Sequence, residues 1–279
     1  MTASSSKPDR DSVYVHGTHA AEQARLAALN DLLNRRTIDE MQIRPGQRIL
    51  DVGCGLGQLA VAMGEATGPR GSVLGVERSE DQLAKARDAA LGMSHVEFRR
   101  GDALHLPLRP EERAGFDIAV TRFLLEHVPD PLAVVRHMLV AVKPGGRVIL
   151  ADDDHDVLRL HPQPPGVMNL WRAYIRLYDR FGNDPFVGRR LVQLLHRAGA
   201  KPKRNAWVWF GGCSNDESFV PLVHNMMGIL HGCKDQLILH DLISADEFTF
   251  AMESLKRFAA REDAAIWFAM SYAEGTRME

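Results

Sequence analysis

Cysteine is scarce in this chain: three residues in 279, Cys54, Cys213 and Cys233, none at metal-ligand spacing from another. So low and odd a count argues against a disulfide framework and fits a reducing compartment, and a cytoplasmic location is expected. No apolar run approaches the roughly 20 residues that a membrane-spanning helix needs. The opening MTASSSKPDR is polar and leads into no apolar signal-peptide core, so residues 1–12 are expected to form a flexible tail. Basic runs that could track a phosphate backbone are missing too. With 34 Lys and Arg against 36 Asp and Glu, the net charge is −2 and a nucleic-acid partner is not expected. What remains is an ordinary globular composition, 45% hydrophobic and 25% charged, sufficient for a sizeable core.

Short apolar runs alternate with helical periods from about residue 47 to 154. RILDVG (48–53), SVLGVE (72–77), HVEFRRGD (95–102), FDIAVT (116–121) and GRVILADD (146–153) read as strands. Between them, Ser79 and Gln82 form a capping box ahead of Leu83, Ala86 and Ala90. Asp130 and Pro131 open a helix that stops at Lys143-Pro144-Gly145-Gly146. Strands alternating with helices predict a parallel sheet covered on both faces. A helix is expected within 18–41, and Trp171, Tyr174, Tyr178 and Phe181 recur at helical spacing. Another helix opens at the Ser244-x-x-Glu247 box, and AAIWFAMSY (264–272) predicts a last strand. These segments give one domain over 13–279, with helical additions at about 13–44, 156–185 and 212–262.

The sharpest local signal is DVGCGLG, with Asp51, Gly53, Gly55 and Gly57 directly after a strand and opening a helix. Glycines serve where the backbone turns sharply and a ligand must approach without interference from Cβ. A dinucleotide fingerprint would place its third glycine at position 58, which is Gln58. Glu77 ends the second strand, 24 residues after Gly53, where a carboxylate can accept both hydroxyls of a ribose. That feature suits NAD and S-adenosylmethionine (SAM) alike. Asp102, at the end of the third strand, can accept from an adenine amino group.

After the glycine loop, GDALHLPL (101–108), FDIAVTRFLLEHVPDP (116–131) and VKPGGRVILADDD (142–154) recur in order. In these motifs the chain resembles the class I SAM-dependent methyltransferases, especially the group like the ubiquinone and menaquinone C-methyltransferases. The resemblance covers about residues 45–155, the SAM-binding core, and extends to GNDPFVGRRLVQLLHRAGA (182–200). It implies an α/β fold: a Rossmann-like, mostly parallel seven-stranded sheet with helices on both faces and helical cap insertions. It also implies SAM as cofactor and S-adenosylhomocysteine as product. Asp51 and the three glycines would line the methionine part of SAM, and Glu77 would hold the ribose hydroxyls. Arg78 would lie along the adenine face, Asp102 and Ala103 would meet the adenine edge, and Thr121 and Arg122 would border the methionine. Gln82 belongs to the same cofactor-binding group. Arg78, Ala103 and Thr121 also fit simple loop packing.

The acceptor side is less defined. Such a site lies outside the carboxyl ends of the strands, where His127 is a candidate base or a structural part of the cofactor pocket. Asp152-Asp153-Asp154-His155-Asp156 begins where strand 5 ends, and alternation along a continuing strand would put Asp152 and Asp154 on one face. Three readings of this run compete: a solvated acidic loop with capping duties, acceptor or proton handling, and a divalent metal site. No metal is assigned, because adjacent carboxylates do not by themselves supply coordination geometry. Tyr14, beside His16 and His19, either closes over the cofactor as part of a lid or belongs to a frayed end. The aromatic stripe is core packing or an acceptor-pocket wall. His224, His231 and Cys233 lack metal spacing.

The leading expectation is a methyltransferase for a small-molecule metabolite, in specialised or cofactor biosynthesis, with a homodimer in keeping with the sequence. Two alternatives stay open. One is a SAM-binding protein that does not methylate, such as a pericyclase-like enzyme or a regulatory binder. The other is an NAD-dependent oxidoreductase, which Gln58 and the later motifs disfavour.

Overall fold

The strands that build the sheet are apolar on both faces, and their neighbours alternate between two cores. Ile49, Ile118, Val120, Ile149 and Ala151 join one buried cluster, while Leu50, Ala119, Val148 and Leu150 join the other. This is the period-two pattern of a sheet sandwiched between helices. The computed structural model describes residues 33–279; Tyr14, His16, His19 and the rest of 13–32 lie outside the described residues.

In chain order the elements are α1 (33–41), β1 (Arg48–Val52), α2 (Gln58–Thr67), β2 (Ser72–Glu77), α3 (Glu80–Ala89) and β3 (Val96–Arg100). Then come β4 (Phe116–Arg122), α4 (Pro131–Ala141), β5 (Val142–Asp153), β6 (Arg159–His161), α5 (Val167–Arg180) and α6 (Leu191–Ala198). The last are β7 (Ala200–Cys213), α7 (Phe219–Gly232), α8 (Lys234–Leu239), α9 (Ala245–Ala259) and β8 (Ala265–Arg277). The sheet runs β3-β2-β1-β4-β5-β8-β6, with β7 paired to β8. Strands β1 to β5 are parallel, and β8 is antiparallel to β5, β6 and β7. The expected α/β sheet is thus present, and the three-residue β6 adds a short eighth strand.

Local signals explain the helix ends. The Asp130 side chain accepts from Ala133 N at 2.9 Å, with Pro131 at the first helical position. Ser244 and Glu247 form the full reciprocal box at α9. At α3 only half the expected exchange is with Gln82: Ser79 Oγ accepts from Gln82 N, while Ser79 N donates to Glu77 Oε1 at 2.9 Å. Helices α2 and α3 cover one face of the sheet, and α4 and α6 the other. Helices α5, α7, α8 and α9 pack on one another, and α7 also packs on β7 and β8. Helix α5 also meets the turn after β5, where Trp171, Tyr174 and Tyr178 surround His155. No helix among the described residues is long and apolar enough to cross a membrane.

Candidate active site

The carboxyl ends of β1, β2 and β4 meet at the glycine turn. Gly53, Gly55 and Gly57 all have φ between 54° and 75°, a region that other L-residues enter at a cost. The turn is also crowded from behind. A Cβ on Gly57 would lie 2.8 Å from the Ala86 Cβ and from the Phe98 ring, and one on Gly53 would lie 3.0 Å from Leu124. Gly53 N and Cys54 N both donate to Val76 O, which ties the turn to β2.

Glu77 gathers the backbone on both sides of the turn. Its Oε2 accepts from Gly55 N at 3.1 Å, and its Oε1 accepts from Arg78 N and Ser79 N at 2.8 and 2.9 Å. The carboxylate is half-buried and fixed by three backbone donors. Asp51 closes the floor of the turn; it is buried, and its Oδ2 has no partner. Burial pushes its carboxyl up to about 7, against the pull of the nearby Arg122. Burial in turn lowers the Arg122 guanidinium to about 10, opposed by Asp51. Arg122 donates to Asn34 Oδ1 at 2.7 Å and contacts Thr37 Oγ1 at 3.4 Å, linking α1 to the end of β4. Thr121 is buried with its hydroxyl on Val52 O. Asp102 is exposed, with Oδ1 accepting from Leu104 N at 2.8 Å, and Ala103 O meets His137 Nδ1 at 3.4 Å. Gln82 Oε1 faces Gly55.

The segment after β4 crosses above this turn. Phe123 has φ 54°, strained for a bulky residue. The strain is held by Phe123 N on Ala151 O and by Leu124 N and Leu125 N on Asp152 Oδ2, at 3.2 and 2.8 Å. Asp152 Oδ1 takes Asp153 N as well. Asp152 is therefore a fully buried strut, its carboxyl pushed well up by burial and by Glu126, against the pull of these backbone donors. Asp154 does not share a face with it in a continuing strand. Strand β5 stops at Asp153, and Asp154 caps a single 3₁₀ turn while Arg189 clamps both its oxygens at 2.7 Å. The structure thus commits both aspartates to holding loops.

A second group of buried polar side chains lies beside them. Glu126 is buried between two imidazoles, with His127 Nε2 at 3.3 Å from Oε1 and His155 Nε2 at 3.2 Å from Oε2. Burial would raise its carboxyl, but the bonds to His127 and His155 outweigh this and hold it well below the usual range. Burial alone would lower the His155 ring; the Glu126 bond and charge reverse this and raise it. Trp171, Tyr174, Tyr178 and Phe268 surround that ring at centroid distances of 5.0 to 6.5 Å, and Trp171 Nε1 donates to His155 O. The stripe on α5 is thus both core and wall of this cluster, whereas Phe181 packs on His240. His155 Nδ1 and Asp153 Oδ1 are buried without partners. Glu126, Asp153 and His155 bring one polar atom each within 4.8 Å of one another. His155 Nε2 lies 3.2 Å from Glu126 Oε2, so the trio is built around one buried imidazole–carboxylate contact with Asp153 beside it. Sequence reasoning passed over Glu126 and did not single out His155; their pairing across 29 positions is tertiary, and only their adjacency to His127 and Asp154 hinted at it.

A family model described as a methyltransferase domain matches residues 43–209, more than half of the chain. The chain belongs to the class I SAM-dependent methyltransferases. A demethylmenaquinone methyltransferase of Bacillus cytotoxicus is 40% identical to this chain over 117 residues, 41% of this chain and 48% of its own length. The chain spans about half the length of the curated relatives it matches. A solved geranyl diphosphate methyltransferase in complex with SAM superposes with a TM-score of 0.55 at 15% identity, covering 94% of this chain and 92% of its own. The [4+2]-cyclase SpnF superposes with a TM-score of 0.51 at 21% identity, over 93% and 83% of the two chains. These likenesses carry the fold.

The residues of this chain fit the family's cofactor. A turn that excludes Cβ atoms, an unpartnered buried carboxylate oxygen on Asp51 and a fixed carboxylate on Glu77 suit a ligand that carries an ammonium, a sulfonium and a ribose diol.

Proposed function

We propose that this chain transfers the methyl group of SAM to a small-molecule acceptor, leaving S-adenosylhomocysteine. The observation that carries the reading is the glycine turn locked to Glu77 beside Asp51, whose buried Oδ2 has no hydrogen-bond partner. When bound, SAM supplies a methyl group already activated by its positive sulfur, so the task of the protein is alignment and exclusion of water. Asp51 and the glycines 53, 55 and 57 line the methionine portion, with Thr121 and Arg122 along its border. Glu77 accepts the ribose hydroxyls, Arg78 and Gln82 flank the nucleoside, and Asp102 and Ala103 meet the adenine edge.

A small acceptor suits a site with apolar and aromatic side chains nearby, and Trp171 and Tyr178 of α5 pack on His155 just after β5. The demethylmenaquinone methyltransferases act, by their name, on a small molecule as well. We place the reaction in the cytoplasm, carried out by residues 13–279 as one unit.

The test is calorimetric titration with SAM, S-adenosylhomocysteine and NADH, with Gly55→Arg as control. Micromolar binding of the SAM pair, lost in Gly55→Arg, supports the reading. Binding of NADH alone, or of no nucleotide, would remove it.

A further inference from the structure

We propose that the exposed face shared by β7 and the start of β8 is a docking surface for an anionic lipid bilayer, on which the chain rests without crossing it. The surface lies at the edge of the sheet, and its occupant is independent of the methyl-transfer reading.

Three of the four tryptophans lie on this face. Trp207, Trp209 and Trp267 are 52%, 44% and 41% exposed, whereas the fourth, Trp171, is buried. Their common face follows from the register. Trp207 pairs with Ser271, Trp209 with Ala269 and Gly211 with Trp267, and residues paired across an antiparallel ladder point the same way. A Cβ on Gly211 would lie 2.9 Å from Trp209 Cζ2, so the Trp209 ring leans over Gly211 towards Trp267. Large apolar rings exposed side by side mark a surface that meets a partner.

The charge beside these rings has one sign. Along β7, Lys201, Lys203, Asn205, Trp207 and Trp209 are exposed, and the residues between them are half-buried or buried. Arg159 of β6 pairs with Trp267 and is exposed as well. Across β6, β7 and β8 the one carboxylate is Glu274, which is buried against Arg147. At the strand ends, Asp263 is bound through both oxygens to Arg261, and Asp216 to Ser218. Tryptophan flanked by lysine and arginine suits the headgroup layer, where the ring sits at the boundary and the cation meets phosphate.

Other occupants fit less well. Arg36 donates to Trp209 O and Ser218 Oγ to Gly211 O, so these edge carbonyls are closed to an added strand. Protein interfaces are depleted in lysine, and a second copy would set the same positive face against itself. A polynucleotide needs many phosphate contacts, which a chain of net charge −2 without basic runs does not offer. A bilayer needs only this patch, and no helix among the described residues is long and apolar enough to cross it.

The test presents the whole chain with vesicles of phosphatidylcholine, with and without phosphatidylglycerol. The chain should sediment with the anionic vesicles, less so as salt is raised, and bind phosphatidylcholine alone only weakly. Because most of its tryptophans lie on this face, emission should shift to the blue and be quenched by brominated acyl chains. Lys201→Glu with Lys203→Glu should weaken binding about 25-fold or more, at about fivefold for each lysine near an anionic surface. Replacing Trp207, Trp209 and Trp267 together by serine should abolish it, and the lysine pair decides alone if that variant does not fold. The proposal is overturned by an absence of binding to anionic vesicles, by binding that leaves emission unshifted and unquenched, or by binding unchanged in the lysine pair. A dimer that the tryptophan variant dissociates would give the face to a second copy, and capture of a single-stranded polynucleotide in place of vesicles would give it to nucleic acid; either also overturns the proposal. Failure to bind S-adenosylhomocysteine would strike the cofactor reading and leave this surface standing.

Discussion

Asp51→Asn should stabilise the cofactor-free protein at neutral pH while it weakens SAM binding. The Asp51 carboxyl is raised from 3.8 to about 7 by burial, so the folded chain holds a proton there that the unfolded chain releases. A folded-state pKa above the unfolded value gives stability that is fully present below about pH 4 and is lost as pH rises through about 7. Asparagine does not titrate and removes that loss. Unfolding free energy from urea titrations should therefore favour the variant increasingly, by roughly 2 to 3 kcal/mol more at pH 7 than at pH 5, at about 1.4 kcal/mol per pH unit. Above about pH 8 the difference should level off, since Asp51 is then ionised in both states. In calorimetry the same variant should lose about tenfold or more in SAM affinity, equivalent to about 1.4 kcal/mol, because a charge-assisted contact to the ligand is gone. Parallel stability curves for the two proteins, or a difference that shrinks as pH rises, would refute the assignment of the buried proton to Asp51.

Three further expectations concern the scaffold. Asp152→Ala leaves Leu124 N, Leu125 N and Asp153 N without their acceptor; at about 1–3 kcal/mol per buried orphaned donor, it should cost roughly 3–9 kcal/mol by denaturant unfolding, and a change below about 0.5 kcal/mol would contradict the strut. Gly57→Ala forces a Cβ to 2.8 Å from Ala86 and Phe98 at φ 74°, so thermal unfolding should fall by several degrees and SAM titration should show no heat, whereas wild-type behaviour would mean that the turn has room. Ser244→Ala breaks the reciprocal box of α9 and should cost about 1 kcal/mol without altering SAM affinity, both read by paired melting and calorimetry.

The parts of this molecule that could be read from sequence are those that local chemistry dictates. Strands β1 to β5 announce themselves because a two-sided sheet needs unbroken apolar runs, and the caps at Asp130 and Ser244 act within three residues. The parts that could not be read depend on what lies opposite. Strand β7 begins Ala-Lys-Pro-Lys-Arg-Asn, with no apolar alternation in its first half, and is a strand because all of it pairs with β8. Alternation predicts a common face for Asp152 and Asp154, but the rule ends where the strand ends, one residue too early. Glu126 sits in a motif that looks like packing, and only the fold brings His155 to it from 29 positions away.

Strand β8 joins the two halves of the molecule. One edge of it takes β5 along Asp153 to Arg147 and then β6, and the other takes the full length of β7. A strand at residues 265–277 thus completes a sheet begun at residue 48, with α5, α7, α8 and α9 in the intervening chain. The edge of β5 beside the Asp152 strut stays open, and β7 stays unpaired, until this last segment docks. Contacts of such long sequence separation form late and slowly. During synthesis, β1 to β5 are therefore made well before β8 can pair with them, and a nascent chain carries an exposed sheet edge through that interval.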